Sequence, residues 1–215
     1  MYTVNDFNIP EERRNDANAW LHEAYNWDME GEYDKAVFCM TRSVELGSVL
    51  ACDYLAEYYA QGQGVAQDYI RAAELYARVA ACEEYLVSED YFPQSRAAYI
   101  LGTYHEKGLL PDASPETAAE WYRKALEDAD DASFVPPAIA LAGMYLDGRG
   151  VEKSAAKAFN LVYGAIPRLL DGADKPALRA LCLRLLECEE ITVDEEDCLY
   201  LQQHADRLQG NVSPF

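Results

Sequence analysis

Three histidines, six cysteines and an acidic stretch near the end of the chain are the residue types best suited to chemistry. None is arranged for it. His22-Glu23 lacks the second imidazole, one helical turn on, that a zinc-protease helix requires. Cys39, Cys52, Cys82, Cys182, Cys188 and Cys198 are irregularly spaced and form no C-x-x-C pair, whereas a zinc site needs close pairs of thiolates or imidazoles. They stand among apolar helical positions, where a free thiol behaves as a small hydrophobe. Buried, reduced thiols in a reducing compartment are the expectation. Gly62-Gln63-Gly64 and Gly148-Arg149-Gly150 are not followed by Lys-Ser/Thr at phosphate-loop spacing, and there is no G-x-S-x-G elbow. The run from Glu187 to Asp197 holds Glu187, Glu189, Glu190, Asp194, Glu195, Glu196 and Asp197 without the D-x-D-x-D-G order of a calcium loop. It reads as solvated helix ends, with a weak cation or basic-protein contact as the other reading. No spacing singles out two carboxylates for acid–base work. The expectation is a protein that is not an enzyme and carries no metal or cofactor.

The elements around these residues are helical. The chain has 215 residues, half of them hydrophobic, so it can bury a sizeable core and is not disordered. Its formal net charge is −20, from 18 basic and 38 acidic side chains. That surface repels nucleic-acid phosphates and anionic lipid and attracts basic protein surfaces; equally, it keeps a protein soluble. The first twelve residues lack an apolar core of the secretory type, and no stretch approaches the ~18–20 apolar residues of a membrane span. A cytoplasmic location with no membrane contact is expected.

Internal repetition is the strongest signal. Leu55-Ala56-x-x-Tyr59-x-x-Gly62-x-Gly64-Val65, Leu101-Gly102-x-x-His105-x-x-Gly108-x-Leu110 and Leu141-Ala142-x-x-Tyr145-x-x-Gly148-x-Gly150-Val151 align without gaps. Downstream, at constant spacing, come Ala72, Ala118 and Ala158, then Leu75-Tyr76, Trp121-Tyr122 and Leu161-Val162. Leu, small residue and aromatic form one helical stripe, so His105 takes an aromatic's place and is expected to be packed. The first glycine supplies a left-handed stop, and the second permits a tight connection. Asp68 or Pro115 opens the next helix. Gly62 and Gly148 are therefore expected at positive φ. One such helix pair cannot bury its apolar face alone, so pairs must stack.

This pattern resembles the Sel-one-like repeat, a relative of the tetratricopeptide repeat; residues 119–125, Ala-Glu-Trp-Tyr-Arg-Lys-Ala, stand very close to its second half. The match is strong over 48–166 and departs from the family at His105 and Leu110. The resemblance implies an all-α fold: a right-handed α/α solenoid of antiparallel helix pairs, about four repeats plus a C-terminal helical cap, forming one domain over 1–215. Residues 15–47 read as an atypical first repeat, with Ala17 to Met29 helical and Gly31 its end. Residues 48–94, 95–136 and 137–173 follow, and 174–209 form the cap. The cap's apolar face is Leu178, Leu181, Cys182, Leu185 and Leu186, and Thr192 with Glu195 suggests a capping box. Repeat lengths differ around Cys82–Gln94 and Asp128–Pro136.

Helical phase sets the outward face of each first helix two residues before the repeat Leu and two and six after it. That selects Asp53, Glu57 and Gln61; Tyr99, Thr103 and Lys107; Ile139, Gly143 and Asp147; and, by extrapolation, His22, Asn26 and Glu30. The set is polar and more acidic than basic, suited to a Lys- or Arg-bearing peptide or protein. Four residues before each cap glycine stand Trp27, Tyr58, Tyr104 and Met144. These read either as packing between neighbouring helices or as an aromatic edge to a groove. The functional expectation is an adaptor that binds another protein or peptide, which rests on the family resemblance. The alternative is an acidic immunity protein or inhibitor that neutralises a bacterial toxin or effector. An enzyme ranks third.

Overall fold

Helix starts and stops follow the capping chemistry of the sequence. A computed structural model of the chain describes residues 2–83, 93–127, 135–168, 175–188 and 195–208. Among these residues the regular elements are ten α-helices and three short 3-10 turns, with no strand. The helices are α1 (Ala17–Met29), α2 (Tyr33–Glu45), α3 (Val49–Gln61), α4 (Tyr69–Ala80), α5 (Pro93–Glu106), α6 (Pro115–Glu127), α7 (Pro136–Asp147), α8 (Ala155–Ala165), α9 (Lys175–Leu186) and α10 (Glu195–Leu208). Side-chain oxygens of Asp16, Ser48, Asp68, Ser114 and Ser154 accept backbone N–H groups at the starts of α1, α3, α4, α6 and α8, satisfying donors the helix itself leaves open. Gly62 ends α3 at φ +70° and Gly148 ends α7 at φ +69°, as the repeat pattern requires.

The chain separates into two compact units, Met1–Tyr104 with Leu109–Pro111 and His105–Gly108 with Asp112–Phe215. In the first, α1 packs on α2 and α3 on α4 as helical hairpins. Leu55, Ala56, Ala72, Leu75 and Tyr76 of the repeat pattern are buried there. In the second, α7 pairs with α8 and α9 with α10. One cluster joins Ala142, Ala158 and Val162 to Leu178, Leu181, Cys182 and Leu185, the face expected of the terminal pair. The small residues bring helix backbones close and the large ones fill the space beside them, which is how interiors reach crystal-like density.

The second glycine of the repeat has a sharper role than a tight connection. A Cβ on Gly64 would stand 2.4 Å from the backbone carbon of Tyr33, and one on Gly150 2.2 Å from that of Pro115. Tyr33 and Pro115 open the second helix of the preceding hairpin. The glycine is thus the point where one repeat's turn rests on its predecessor's backbone, at φ +65° in both cases. Gly108, by contrast, has nothing within 4 Å of its missing Cβ.

Residues ahead of the first expected repeat also belong to the packing. Phe7 is buried and stacks on Phe38, centroids 4.9 Å apart, with Trp20 edge-on at 5.9 Å. Tyr2 and Ile9 extend this layer, so the N-terminal segment covers the first hairpin. The two length variations of the repeats fall mainly on residues outside those described, as do Thr192 of the capping box, the Glu195 side chain, and Glu189, Glu190 and Asp194 of the acidic run.

Candidate functional site

Three helices of the first unit border a recess of about 370 Å³. Tyr25 and Asp28 lie one turn apart on α1, while Tyr33 and Met40 stand two turns apart on α2. Tyr54, Glu57, Tyr58 and Gln61 follow at i, i+3, i+4 and i+7 on α3, a spacing that puts them on one side of the helix. Gln63 of the turn completes the lining. Tyr25 and Tyr54 meet edge to face with centroids 5.2 Å apart, and Tyr33 and Tyr58 at 6.3 Å. The Tyr58 hydroxyl donates to Asp28 Oδ1. Burial, then the Asp28 carboxylate, raises the Tyr58 phenol above its ordinary range; burial and the bond to Tyr54 do the same for Tyr25. Both rings therefore keep their protons at neutral pH.

Beside the recess, Arg96 of α5 crosses to α3. Its Nη1 donates to both Asp53 oxygens, at 2.9 and 3.1 Å, and its Nη2 to Glu57 Oε2 at 3.3 Å. The other oxygen of Glu57 accepts from Gln61 Nε2 at 3.0 Å. Asp53 is only 2% exposed, which corrects its expected place on the outward face. Phase alone turned it outward, but α5 packs beside α3 and its arginine closes over the carboxylate, so burial is matched by a charged partner.

The remaining face residues divide by exposure. His22, Asn26, Glu30, Gln61, Lys107 and Asp147 are exposed; Glu57, Tyr99, Thr103, Ile139 and Gly143 are half-buried. His22 and Asn26 are linked to each other at 3.3 Å, and Thr103 donates to the Tyr99 carbonyl. The residues of the candidate aromatic edge pack against neighbouring helices, and Tyr58 also lines the recess. Tyr58, Tyr104 and Met144 are buried, Tyr104 against Tyr69 and Tyr76. Trp27 is half-buried beneath Lys35, whose Nζ lies 4.1 Å from the ring centroid, and donates to Glu23 at 3.1 Å. These positions face the neighbouring helix because one residue of offset from the outward stripe rotates the side chain by ~100°. Tyr25 and Tyr54 escaped the repeat-based reading, since they do not occupy equivalent repeat positions; only their common side on adjacent helices marks them.

In the second unit the outward face carries an alternating chain of charges. Arg149 Nη2 donates to Glu106 at 2.8 Å and its Nε to Asp147 at 3.3 Å, while Arg184 donates to the other Asp147 oxygen at 2.6 Å. Glu106 also accepts from the Tyr122 hydroxyl at 2.6 Å. Arg184, then Arg149, holds the Asp147 carboxyl below its ordinary range.

Among the described residues no histidine is hydrogen-bonded to a serine, threonine or cysteine side chain. His105 is buried at 7% exposure, in the aromatic slot of its repeat. Cys39, Cys52 and Cys182 are buried free thiols; burial pushes Cys39 up to about 12 and Cys182 up to about 11, which leaves them protonated and unreactive. Among the described residues no group of His, Cys, Asp and Glu is placed to hold a metal ion, and no helix is long and apolar enough to cross a membrane.

Capped helical hairpins with Gly turns and small-to-large interfaces place the chain among the helical-hairpin repeat proteins of the tetratricopeptide-like solenoid class. Within that class, the Sel1 repeat matches residues 49–82, 95–130 and 138–162, and these three segments are Sel1 repeats. Its fold is similar to that of a Sel1 repeat protein from Oxalobacter formigenes, with a TM-score of 0.71 and 18% identity over 96% of this chain and 78% of that one. It is also similar to c5321, a protective antigen present in uropathogenic Escherichia coli strains that displays an SLR fold, with a TM-score of 0.60 and 18% identity. That match covers 93% of this chain and 47% of c5321. No curated protein matches the chain significantly. Repeats of this type generally serve as protein-interaction modules and scaffolds rather than enzymes.

Proposed function

We propose that this chain is an interaction module that binds a partner protein or peptide along the outward faces of its first helices. The tyrosine- and carboxylate-lined recess between α1, α2 and α3 carries the reading, because it is a concave surface that brings ring faces and carboxylates together. Glu57, Gln61, Asp28 and the exposed His22, Asn26 and Glu30 are the proposed contacts in the first unit; Lys107 and Asp147 are those in the second. The test is quantitative binding to a partner captured from the native host. Glu57→Lys should weaken binding at least tenfold and slow association most at low salt. The double change Glu116→Lys with Glu120→Lys, on the exposed side of α6, should do neither. Equal effects from the two variants overturn the assignment.

The net charge of −20 favours a second reading, an acidic inhibitor that neutralises a basic toxin or effector. Electrostatic steering would then dominate encounter, and an association rate insensitive to salt would defeat it.

A further inference from the structure

The recess between α1, α2 and α3 is bordered by acceptors and ring faces without a cation. Its lining holds Tyr25, Tyr33, Tyr54 and Tyr58, the carboxylates of Asp28 and Glu57, and no Lys or Arg. Asp28 receives one hydrogen bond, from Tyr58, and among the described residues no Lys or Arg forms an ion pair with it. Among the described residues its second oxygen accepts no hydrogen bond. Glu57 lines the recess while Arg96 of α5 donates to one of its oxygens and Gln61 to the other. Arg96 also shows what this surface accepts. Its guanidinium bridges two carboxylates a helical turn apart on α3, Asp53 and Glu57.

We propose that the recess is a receptor for an arginine side chain presented by a partner protein, with Asp28 and Glu57 as its anionic contacts and the tyrosine rings as its walls. A planar guanidinium meets both demands: its N–H groups donate to carboxylates in a fixed fork, and its face stacks on phenol rings. An ammonium satisfies the charge but offers no face to stack, and holds its water more tightly. A neutral amide supplies donors without charge. The volume, about 370 Å³, suits one side chain rather than a folded segment. This inference rests on the interaction reading and names the chemistry that one site recognises.

The experiment titrates the full chain with N-acetylarginine amide, N-acetyllysine amide and N-acetylglutamine amide, following tyrosine ring resonances by NMR. The arginine probe should shift Tyr25, Tyr54 and Tyr58 saturably, at least threefold more tightly than the lysine probe, and the glutamine probe should not saturate. Asp28→Asn keeps an acceptor for Tyr58 and should weaken the arginine probe about tenfold. Glu57→Gln, a second variant in case the first perturbs folding, should weaken it at least threefold. Glu74→Gln, exposed on α4, should leave the affinity unchanged. Absence of saturable shifts, equal affinity for lysine, or undiminished affinity in a folded Asp28→Asn or Glu57→Gln chain overturns the proposal. Such a result alongside intact partner binding leaves the interaction reading standing.

Discussion

Asp53 in the first unit and Asp147 in the second answer to the same repeat stripe, eight residues apart in register, yet solvent treats them differently. Asp53 is enclosed under Arg96, itself 33% exposed at its side chain, while Asp147 lies at the surface between Arg149 and Arg184. A carboxylate that has lost its water depends on its partner for the whole of its solvation. One that keeps its water loses little when a partner is withdrawn. The same first-helix stripe can thus lock neighbouring helices in one place and dress the surface in another. Only the second use leaves the charge exchangeable with a partner's.

The sharpest test of what the two units share lies in the second glycines. Gly64→Ala and Gly150→Ala each drive a Cβ into preceding backbone at positive φ, and each should cost roughly 3 kcal/mol or more in urea denaturation. Gly108→Ala meets open space and should cost only about 1–2 kcal/mol, the left-handed penalty alone. Similar losses at Gly64 and Gly108 would remove the inter-repeat contact as the glycine's role.

The charge pairs should then separate the units. Arg96→Met removes the guanidinium from the buried Asp53 and should destabilise by roughly 2–4 kcal/mol, less than for a fully enclosed pair because water reaches Arg96. Arg184→Met should cost less than about 1 kcal/mol. Equal losses in denaturation would collapse the distinction between buried and surface stripe.

The smallest effect is in pH. The Asp147 carboxyl is lowered in the folded chain, by Arg184 first and Arg149 second. Its contribution is complete above its unfolded value of 3.8 and is lost as pH falls through the lowered folded value. Between about pH 5 and about pH 3, an Asp147→Asn chain should therefore lose less stability than the parent. Parallel denaturation midpoints for the two chains across that range would show that the ladder is energetically silent.

Much of the architecture was legible because repeats expose their own grammar. Leu55, Ala56 and Gly62 recur with their spacing at Leu141, Ala142 and Gly148, and α1 spans Ala17–Met29, the stretch read as helical before Gly31. His105 was readable as packed, since it stands where Tyr59 and Tyr145 stand. The candidate site was legible only in part. Glu57 and Gln61, which phase turned outward, line the recess, and Tyr25 and Tyr54 enter it from positions that repeat alignment does not equate. Phe7 and Ile9 precede the repeats and carry no periodic signal, so their covering role was invisible.

The sequence by itself determined the helices, their glycine stops and the stacking stripe, because caps, positive-φ turns and 3.6-residue periodicity act within a few neighbouring residues. Tertiary structure alone decided which polar side chains on the outward stripe stay outside. Asp53 is buried because α5 brings Arg96 over it, and Tyr25 and Tyr54 meet because α1 and α3 lie side by side. Those partners stand 43 and 29 residues apart in the chain, beyond the reach of any local pattern.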